Sequence, residues 1–288
     1  MPVQTPLPLR GVRILSLALN LPGPAALLRC RRMGAACVKL EPPAGDPMRQ
    51  YQPQTYADLH EGVRVVTADL KTDKGQAALQ RELAKAGVLL TSFRPSALQR
   101  LGLGWKTLHQ QYPALSQVAI VGGPGAQAEV PGHDLTYLAE HDLINGLHLP
   151  PTLFADMGGA LMASEAVLQA VMQQRGKGKG VYREVALSEA AAWLALPRAW
   201  GLTQIRGTVG GAHAGYRVYA CQDGRVAVAA LEPHFAAALC ATAGLPESDM
   251  QKPATRAALE QWFAGKTRRQ LDALAARHDL PLHTLPRA

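Results

Sequence analysis

The sequence has few aromatic residues, few cysteines and no long apolar run. Aromatic side chains make up only 5% of the 288 residues. The four cysteines form no Cys-x-x-Cys pair and no zinc-finger spacing, so neither a metal site nor a disulfide framework is expected. No stretch approaches the roughly 20 apolar residues that a membrane helix requires. These shortages predict a reduced, cytoplasmic protein without a membrane span.

The common phosphate-binding glycine motifs are also missing. The basic turn at residues 175–180 lacks the Gly-Lys-Ser/Thr ending of a P-loop, and no Gly-x-Gly-x-x-Gly follows the first predicted strand. The pair His60 and Glu61 lacks the second histidine of a zinc-protease motif. We therefore expect no tightly bound nucleotide cofactor and no catalytic metal.

Basic residues outnumber acidic ones and give a formal net charge of +8 at pH 7. Such an excess attracts nucleic acids, anionic membranes or acidic small molecules. Lys and Arg are spread along the chain, and no basic strand is interleaved with aromatic residues as in RNA-binding modules. The distribution favours a polyphosphate ligand and predicts neither a nucleic-acid nor a membrane partner.

What the sequence does contain is a regular alternation of short apolar strands and helices. Residues 12–17 and 36–40 have the pattern of buried strands, with a predicted helix at 25–33 between them. A strand, a helix and a strand within about 30 residues form the βαβ unit of a parallel sheet. Further strands are predicted at 64–68, 88–91, 116–121 and 182–187, and further helices at 72–86 and 156–174. The pattern predicts a doubly wound, Rossmann-like α/β domain over residues 1–205.

A second, smaller domain is predicted over residues 206–288. Residues 201–215 are rich in Gly, Thr and His without periodicity, which is typical of a domain boundary. Residues 215–220 and 225–230 predict a hairpin around the turn at 222–224. Helices are predicted at 233–243, 254–264 and 267–278, so the class of this domain is α+β.

Three titratable residues stand at the ends of predicted elements, where catalytic groups are often found. They are His133 after a glycine-rich loop, Asp156 at a helix start, and Glu232 between a strand and a helix. Each has an ordinary structural alternative: Asp156 as a helix cap, Glu232 as a solvated turn residue and His133 as a hydrogen-bonded structural histidine. From the residues alone, the chain is an α/β enzyme of unknown chemistry.

An ordered series of short motifs resembles the family III CoA-transferases, a superfamily that includes the 2-methylacyl-CoA racemases and the CaiB/BaiF-like proteins. The motifs are LRGVRIL at 9–15, LPGP at 21–24, MGA at 33–35, VKLEPPAGDP at 38–47, ADLK at 68–71, SFRP at 92–95, RLGLG at 100–104, GHD at 132–134, ADMGG at 155–159 and LEP at 231–233. The series covers nearly the whole chain in the family's order.

The resemblance implies two chemistries for the same residues. In the transferases, the residue that matches Asp156 is the nucleophile that carries the acyl group as a mixed anhydride. In the racemases, the residues that match His133, Asp156 and Glu232 are acid/base groups around the α-carbon of the thioester. Backbone N–H groups at the start of the Asp156 helix would stabilise the enolate oxygen, with Gly158 and Gly159 allowing its close approach.

The resemblance also implies a CoA site and an oligomer. The nucleotide is expected at the strand ends, with Lys39, Arg94, Leu70 and Lys71 as contacts. Family members are homodimers of interlocked chains, so a homodimer is expected. The CoA thioester is expected as a substrate and not as a resident cofactor.

The presence of all three matching acid/base residues favours racemase chemistry, with CoA transfer as the alternative and a non-catalytic CoA-ester-binding or scaffold protein as a second alternative. The non-catalytic alternative arises because the chain departs from the family pattern. Residues 60–62 are His-Glu-Gly where the family usually has Asn-Arg-Gly, and the Gly-Tyr-Gly motif is degraded at 120–125. The stretch between His133 and Asp156 is short. The family's C-terminal return segment has no counterpart after residue 282, which predicts a truncated small domain and an altered dimer.

Overall fold

The computed structural model describes residues 7–245 and 248–287, which fall into two compact units. The units are Met1–Ala195 and Leu196–Ala288. The domain boundary expected from composition lies between residues 205 and 206, about ten residues after the division between these two units. That boundary and the CoA-binding role of the first domain stay predictions.

The first unit is built on a six-stranded, wholly parallel sheet. Its strands are β1 (Arg13–Ser16), β2 (Ala36–Glu41), β3 (Arg64–Thr67), β4 (Val88–Thr91), β5 (Ser116–Val121) and β6 (Tyr182–Ala186). Their order is β3-β2-β1-β4-β5-β6, so β1 pairs with β2 on one side and with β4 on the other. This is the Rossmann order, in which the direction of strand addition reverses between β1 and β4.

Helices cover both faces of this sheet. They are α1 (Pro22–Arg32), α2 (Met48–Tyr51), α3 (Pro53–Leu59), α4 (Asp73–Leu83), α5 (Pro95–Arg100), α6 (Trp105–Gln111), α7 (Asp134–Glu140), α8 (Phe154–Lys177) and α9 (Leu187–Leu194). Successive β1 residues point to opposite faces: Ile14 packs with α1 and α8, and Leu15 packs with α4 and α6. Every residue of β4 and β5 is buried, as expected for strands covered on both faces. The predicted doubly wound α/β class is confirmed.

Helix α1 begins earlier than predicted. The sequence pattern treated Pro22-Gly23-Pro24 as a turn before a helix at 25–33, but the helix includes all three residues. Proline is accommodated in the first turn because the N–H groups there have no partner within the helix.

The second unit is a three-stranded antiparallel sheet packed against helices. Its elements are α10 (Leu196–Ala199), β7 (Tyr216–Cys221), β8 (Gly224–Ala229), α11 (Pro233–Ala243), α12 (Pro253–Ala264), α13 (Arg268–His278) and β9 (Leu282–Leu285). The predicted hairpin is β7–β8, and the predicted α+β class is confirmed. Strand β9, which pairs with β8, was not predicted because its four residues, Leu-His-Thr-Leu, form neither an apolar run nor a strict apolar–polar alternation.

The helices were also considered as possible membrane spans. Within the described residues, no helix combines the length and the hydrophobicity needed to cross a bilayer.

Gly75 lets α4 start close against the turn that precedes it. A Cβ at this position would overlap the backbone carbonyl of Asp69.

We expect Gly75→Ala to lower the free energy of unfolding by about 1–3 kcal/mol, the usual cost of overpacking. The matched control is Gly176→Ala in α8, where a Cβ would meet nothing within 4 Å. That change should be neutral or stabilising by up to about 1 kcal/mol. Urea unfolding curves measure both, and equal midpoints for the two variants would contradict the tight contact.

Candidate functional site

A cleft of about 800 Å³ opens in the first unit at the carboxyl ends of β1, β4 and β5. This is the point of the sheet where strand order reverses, the place where open α/β sheets bind ligands. Loops after the three strands supply much of its lining, and the remainder comes from α2, α3 and the segments around the starts of α7 and α8. Prominent lining residues are Leu19, Asn20, Tyr51, Ser92, Phe93, Arg94, Gly122, His133, Asp134, Tyr137 and Asp156.

Two of the predicted catalytic residues, His133 and Asp156, line this cleft together. His133 precedes α7 and is exposed, and its N–H donates to Thr136 Oγ1 at 3.1 Å. Asp156 lies in the first turn of α8. The two helix starts are joined by Asp134, whose buried carboxylate accepts the Asp156 N–H at 2.9 Å. Residues 22 or more positions apart in the chain thus share one wall.

The carboxyl of Asp156 holds its proton more tightly than an ordinary aspartate. Burial is the main cause, the negative charge of Asp134 adds to it, and the nearby His133 opposes it, so the pKa of Asp156 rises from 3.8 to about 6. A carboxyl with that pKa is mostly ionised at neutral pH and can still take up and return a proton. Such perturbed groups in clefts are typical of acid/base sites.

Asp134 and Tyr137 are site residues that the sequence analysis did not single out. Tyr137 is buried and lines the cleft, and a Cβ on either Gly122 or Gly132 would overlap its ring. Burial, then the charges of Asp156 and Glu140, raise the pKa of Tyr137, so its hydroxyl stays protonated. The available signal was closeness in sequence: Tyr137 lies four residues after His133, about one turn into the helix that His133 precedes.

Arg94, a predicted CoA contact, also lines the cleft. It stands at the start of α5 and is exposed, and within the described residues its guanidinium makes no hydrogen bond. The adjacent first turn is already occupied by a carboxylate of the chain, because Glu129 accepts the N–H and the hydroxyl of Ser96 at 2.7 and 2.8 Å. Arg94 is therefore a cation at the cleft with donors available to an anionic ligand.

Lys39, a second predicted CoA contact, is placed differently. Its ammonium is fully buried below the cleft and lies 2.5 Å from Asp46 Oδ2, 3.1 Å from Glu41 Oε1 and 2.9 Å from His60 Nε2. These contacts engage all three of its N–H donors. A contact between Lys39 and CoA would require this network to open. The same three side chains could ligate a cation, but the Lys39 ammonium already contacts all three of them.

Leu70 and Lys71, the remaining predicted CoA contacts, lie in the turn after β3 and outside the cleft lining. The Lys71 N–H donates to Asp69 Oδ1 at 3.0 Å, and Lys71 is exposed. Because β3 is parallel to the other strands, this turn lies along the same edge of the sheet as the cleft.

The two glycines after Asp156 face another helix. A Cβ on Gly159 would overlap the Leu187 side chain, and one on Gly158 would lie 3.1 Å from Leu194 Cδ1. Both neighbours belong to α9, so these glycines allow α8 and α9 to pack closely. The side of Gly158 and Gly159 on which a Cβ would project thus packs on α9, and the close approach of a thioester to their backbone stays a prediction.

Glu232, the third predicted catalytic residue, belongs to the second unit. It follows β8 at the start of α11 and is exposed, as its position between a strand and a helix predicts. The second unit also has a cleft of about 850 Å³ with mainly apolar walls, lined in addition by Arg217, Arg256 and His283. None of the predicted catalytic residues lines that cleft, so we take the cleft of the first unit as the candidate site.

Comparison with known proteins gives a consistent picture. The family model described as CoA-transferase family III matches residues 9–287. The chain is 30% identical over 260 residues to alpha-methylacyl-CoA racemase of Mus musculus, an alignment that covers 84% of this chain and 66% of that protein. It is 28% identical over 204 residues to cinnamoyl-CoA:phenyllactate CoA-transferase of Clostridium sporogenes, covering 64% of this chain and 50% of that protein. The chain thus spans half to just under two thirds of the length of these curated relatives.

Solved structures share the fold over almost the whole chain. The crystal structure of the protein Rv3272 from Mycobacterium tuberculosis has a TM-score of 0.84 at 25% identity, covering 96% of this chain and 83% of that chain. A CaiB/BaiF family protein from Brucella suis has a TM-score of 0.81 at 24% identity, covering 96% of this chain and 84% of that chain.

The raised pKa of Asp156 has a consequence for stability that can be measured without a substrate. Between its ordinary value of 3.8 and about 6 the folded state binds more protons than the unfolded state, so this group lowers stability as pH rises through that window. We expect Asp156→Asn to raise the free energy of unfolding at pH 8 by on the order of 1 kcal/mol and to change it little below pH 4.

Urea unfolding at both pH values measures this difference. The matched control is Asp73→Asn, which changes an exposed aspartate in the first turn of α4. It should produce no gain at pH 8, since an aspartate favours a helix N-terminus. A loss of stability at pH 8 in the Asp156→Asn variant would contradict the electrostatic description of the cleft.

Proposed function

This chain belongs to CoA-transferase family III, and on that premise we propose that it removes and returns the α-proton of a 2-methyl-branched acyl-CoA thioester. The observation that carries the proposal is the pairing of Asp156 and His133 in one cleft, with the pKa of Asp156 raised to about 6. The similarity to an alpha-methylacyl-CoA racemase supports the same chemistry. The reaction is a racemisation or epimerisation and needs no resident cofactor.

Inversion at the α-carbon requires a base on one face and an acid on the other. In the proposed reaction the enolate lies between the two side chains, so that the Asp156 carboxylate takes the α-proton from one face and His133 delivers a proton to the opposite face. The reverse direction exchanges the two roles. Tyr137, protonated and buried in the same cleft, contributes a hydroxyl near the developing charge. That Glu232 is a further acid/base group stays a proposal that rests on the family resemblance.

The CoA portion is proposed to lie along the carboxyl ends of the strands. Arg94 offers an exposed guanidinium to a phosphate at the cleft. Leu70 and Lys71, at the end of β3, would contact the nucleotide where it extends along the sheet edge. Lys39 would act indirectly, because its ammonium supports the cleft from below. The homodimer and the cytoplasmic location expected from the sequence stay predictions.

CoA transfer is the second candidate function, and the accessible position of Asp156 favours it. A carboxylate that lines an open cleft can attack a thioester as well as remove a proton. The similarity to a CoA-transferase of Clostridium sporogenes is of the same order as that to the racemase. Transfer would need Asp156 but not His133. A non-catalytic, CoA-ester-binding role is the third candidate.

Exchange of the α-proton with solvent tests the primary proposal. In deuterated water we expect the protein to introduce deuterium at the α-carbon of one or more 2-methylacyl-CoA esters. Mass spectrometry of the ester measures this incorporation. Asp156→Asn and His133→Gln should each slow this exchange by at least about 100-fold, a typical contribution of a general acid or base. The controls Asp73→Asn and His148→Gln change exposed residues outside the cleft lining and should leave the rate unchanged.

The variants also separate the candidates. Inversion at the α-carbon that survives His133→Gln but not Asp156→Asn contradicts the two-base reaction. Movement of CoA between an ester and free carboxylates, lost only in Asp156→Asn, would support transfer. Binding of esters without exchange or transfer would support the non-catalytic role.

The pH dependence gives an independent test of the Asp156 environment. The exchange rate should rise with pH around a midpoint near 6, since the base must be ionised. Asp134→Asn removes a charge that raises this pKa but keeps an oxygen to accept the Asp156 N–H. The midpoint should therefore move to lower pH, as measured from initial rates between pH 4.5 and 8. An unchanged or higher midpoint would mean that Asp134 does not act through its charge.

A further inference from the structure

A buried polar network lies beneath one part of the first-unit cleft. At its centre Lys39 contacts Asp46, Glu41 and His60. All four side chains are at most 7% exposed. Because a buried charge is tolerated only when it is paired and hydrogen-bonded, the network must hold one arrangement.

The network reaches the cleft through Asp46. Both oxygens of this carboxylate lie 3.1 Å from the N–H of Asn20, and Oδ1 accepts the N–H of Met48 at 2.9 Å. Asn20 and Met48 both line the cleft. Asn20 has a φ of 63°, an uncommon conformation for a residue other than glycine. Its position in the cleft wall therefore depends on a partner for its N–H, and that partner is held by Lys39.

His60 completes the coordination of Lys39, and its contacts specify one form of the ring. Nδ1 lies 2.7 Å from the carbonyl oxygen of Tyr56, which can only accept, so Nδ1 carries the proton. Nε2 faces the Lys39 ammonium at 2.9 Å, which can only donate, so Nε2 is the acceptor. The ring also stacks on Tyr56, with centroids 4.1 Å apart. Both contacts fit the neutral Nδ1–H tautomer.

We propose that His60 is a positioning residue of the cleft: as a neutral Nδ1–H imidazole it accepts a hydrogen bond from Lys39, which holds Asp46 against the backbone N–H of Asn20. The groups that face the ring are Lys39 and Glu41 from β2, Asp46 from the following turn and Tyr56 from α3. Within the described residues, the hydrogen bonds and the ring contact of the His60 side chain are with Lys39 and Tyr56, neither of which lines the cleft, so the ring acts through Lys39. Its effect on turnover rests on the proposed function, whereas its effect on Asn20 does not.

His60 occupies a position where a neutral acceptor is required. With two carboxylates on Lys39, a third anion would add an uncompensated buried charge, and an apolar side chain would leave one N–H of the ammonium without a partner. A glutamine at this position retains a neutral oxygen acceptor, although its geometry differs. The pair His60→Leu and His60→Gln therefore separates hydrogen bonding from the filling of space.

Nuclear magnetic resonance of the ¹⁵N-labelled full chain tests the proposal directly. In the wild type at pH 7.5 the His60 ring should show the neutral pattern, with Nδ1 protonated. Hydrogen exchange of the Asn20 amide should accelerate by about tenfold in His60→Leu, the effect of losing one hydrogen bond in the chain of contacts. His60→Gln should restore most of the protection. Amides in β4 serve as the reference for global stability.

A wild-type ring protonated at Nε2 would overturn the proposal even if neither variant folds. Unchanged exchange at Asn20 in His60→Leu, or acceleration equal to that in β4, would also overturn it. If the wild type turns over an ester, KM should rise by about tenfold in His60→Leu with kcat changed less. If it turns over none, the proposed function fails while the Asn20 measurement still decides the role of His60.

Discussion

The first unit depends on one interaction, the pairing of a buried ammonium with two buried carboxylates at the end of β2. Lys39 is fully enclosed, and removing its ammonium would leave the Glu41 and Asp46 carboxylates in the protein interior without a counter-ion. The requirement to satisfy these groups determines the path of the chain around them. Asp46 accepts the N–H groups of Asn20 and Met48, which line the cleft, and Glu41 accepts the hydroxyl of Tyr56 in α3 at 2.8 Å.

The charged groups in and below the cleft have two contrasting arrangements. Below the Asn20 wall, cation and anions are in direct contact and the network is closed to solvent. Around the starts of α7 and α8, Asp134 and Asp156 bring two carboxylates together, and the nearby His133 lowers the pKa of Asp156 in part. The first arrangement makes a rigid support. The second leaves one carboxyl with a raised pKa at the surface of the cleft, where proton transfer to a bound ester is possible.

Much of the architecture follows from local pattern. The β-strands at 12–17 and 36–40, the hairpin after residue 215 and the three C-terminal helices are encoded by short apolar runs and turn residues, so they were predicted within a few positions. The start of α1 at Pro22 and strand β9 were not, because first-turn prolines and four-residue edge strands have weak local signals. The residues His133 and Asp156 were found from motifs and helix ends.

The sequence by itself determined the fold class, the family motifs and the candidate acid/base residues, since these depend on periodicity and on residue type at element ends. Only the tertiary structure decided which side chains share a cavity. It placed Lys39 in the interior, turned Gly158 and Gly159 toward α9, and brought Asp134 and Tyr137 beside Asp156. The physical reason is that burial, charge pairing and helix packing are set by contacts between residues far apart in the chain, which no local pattern contains.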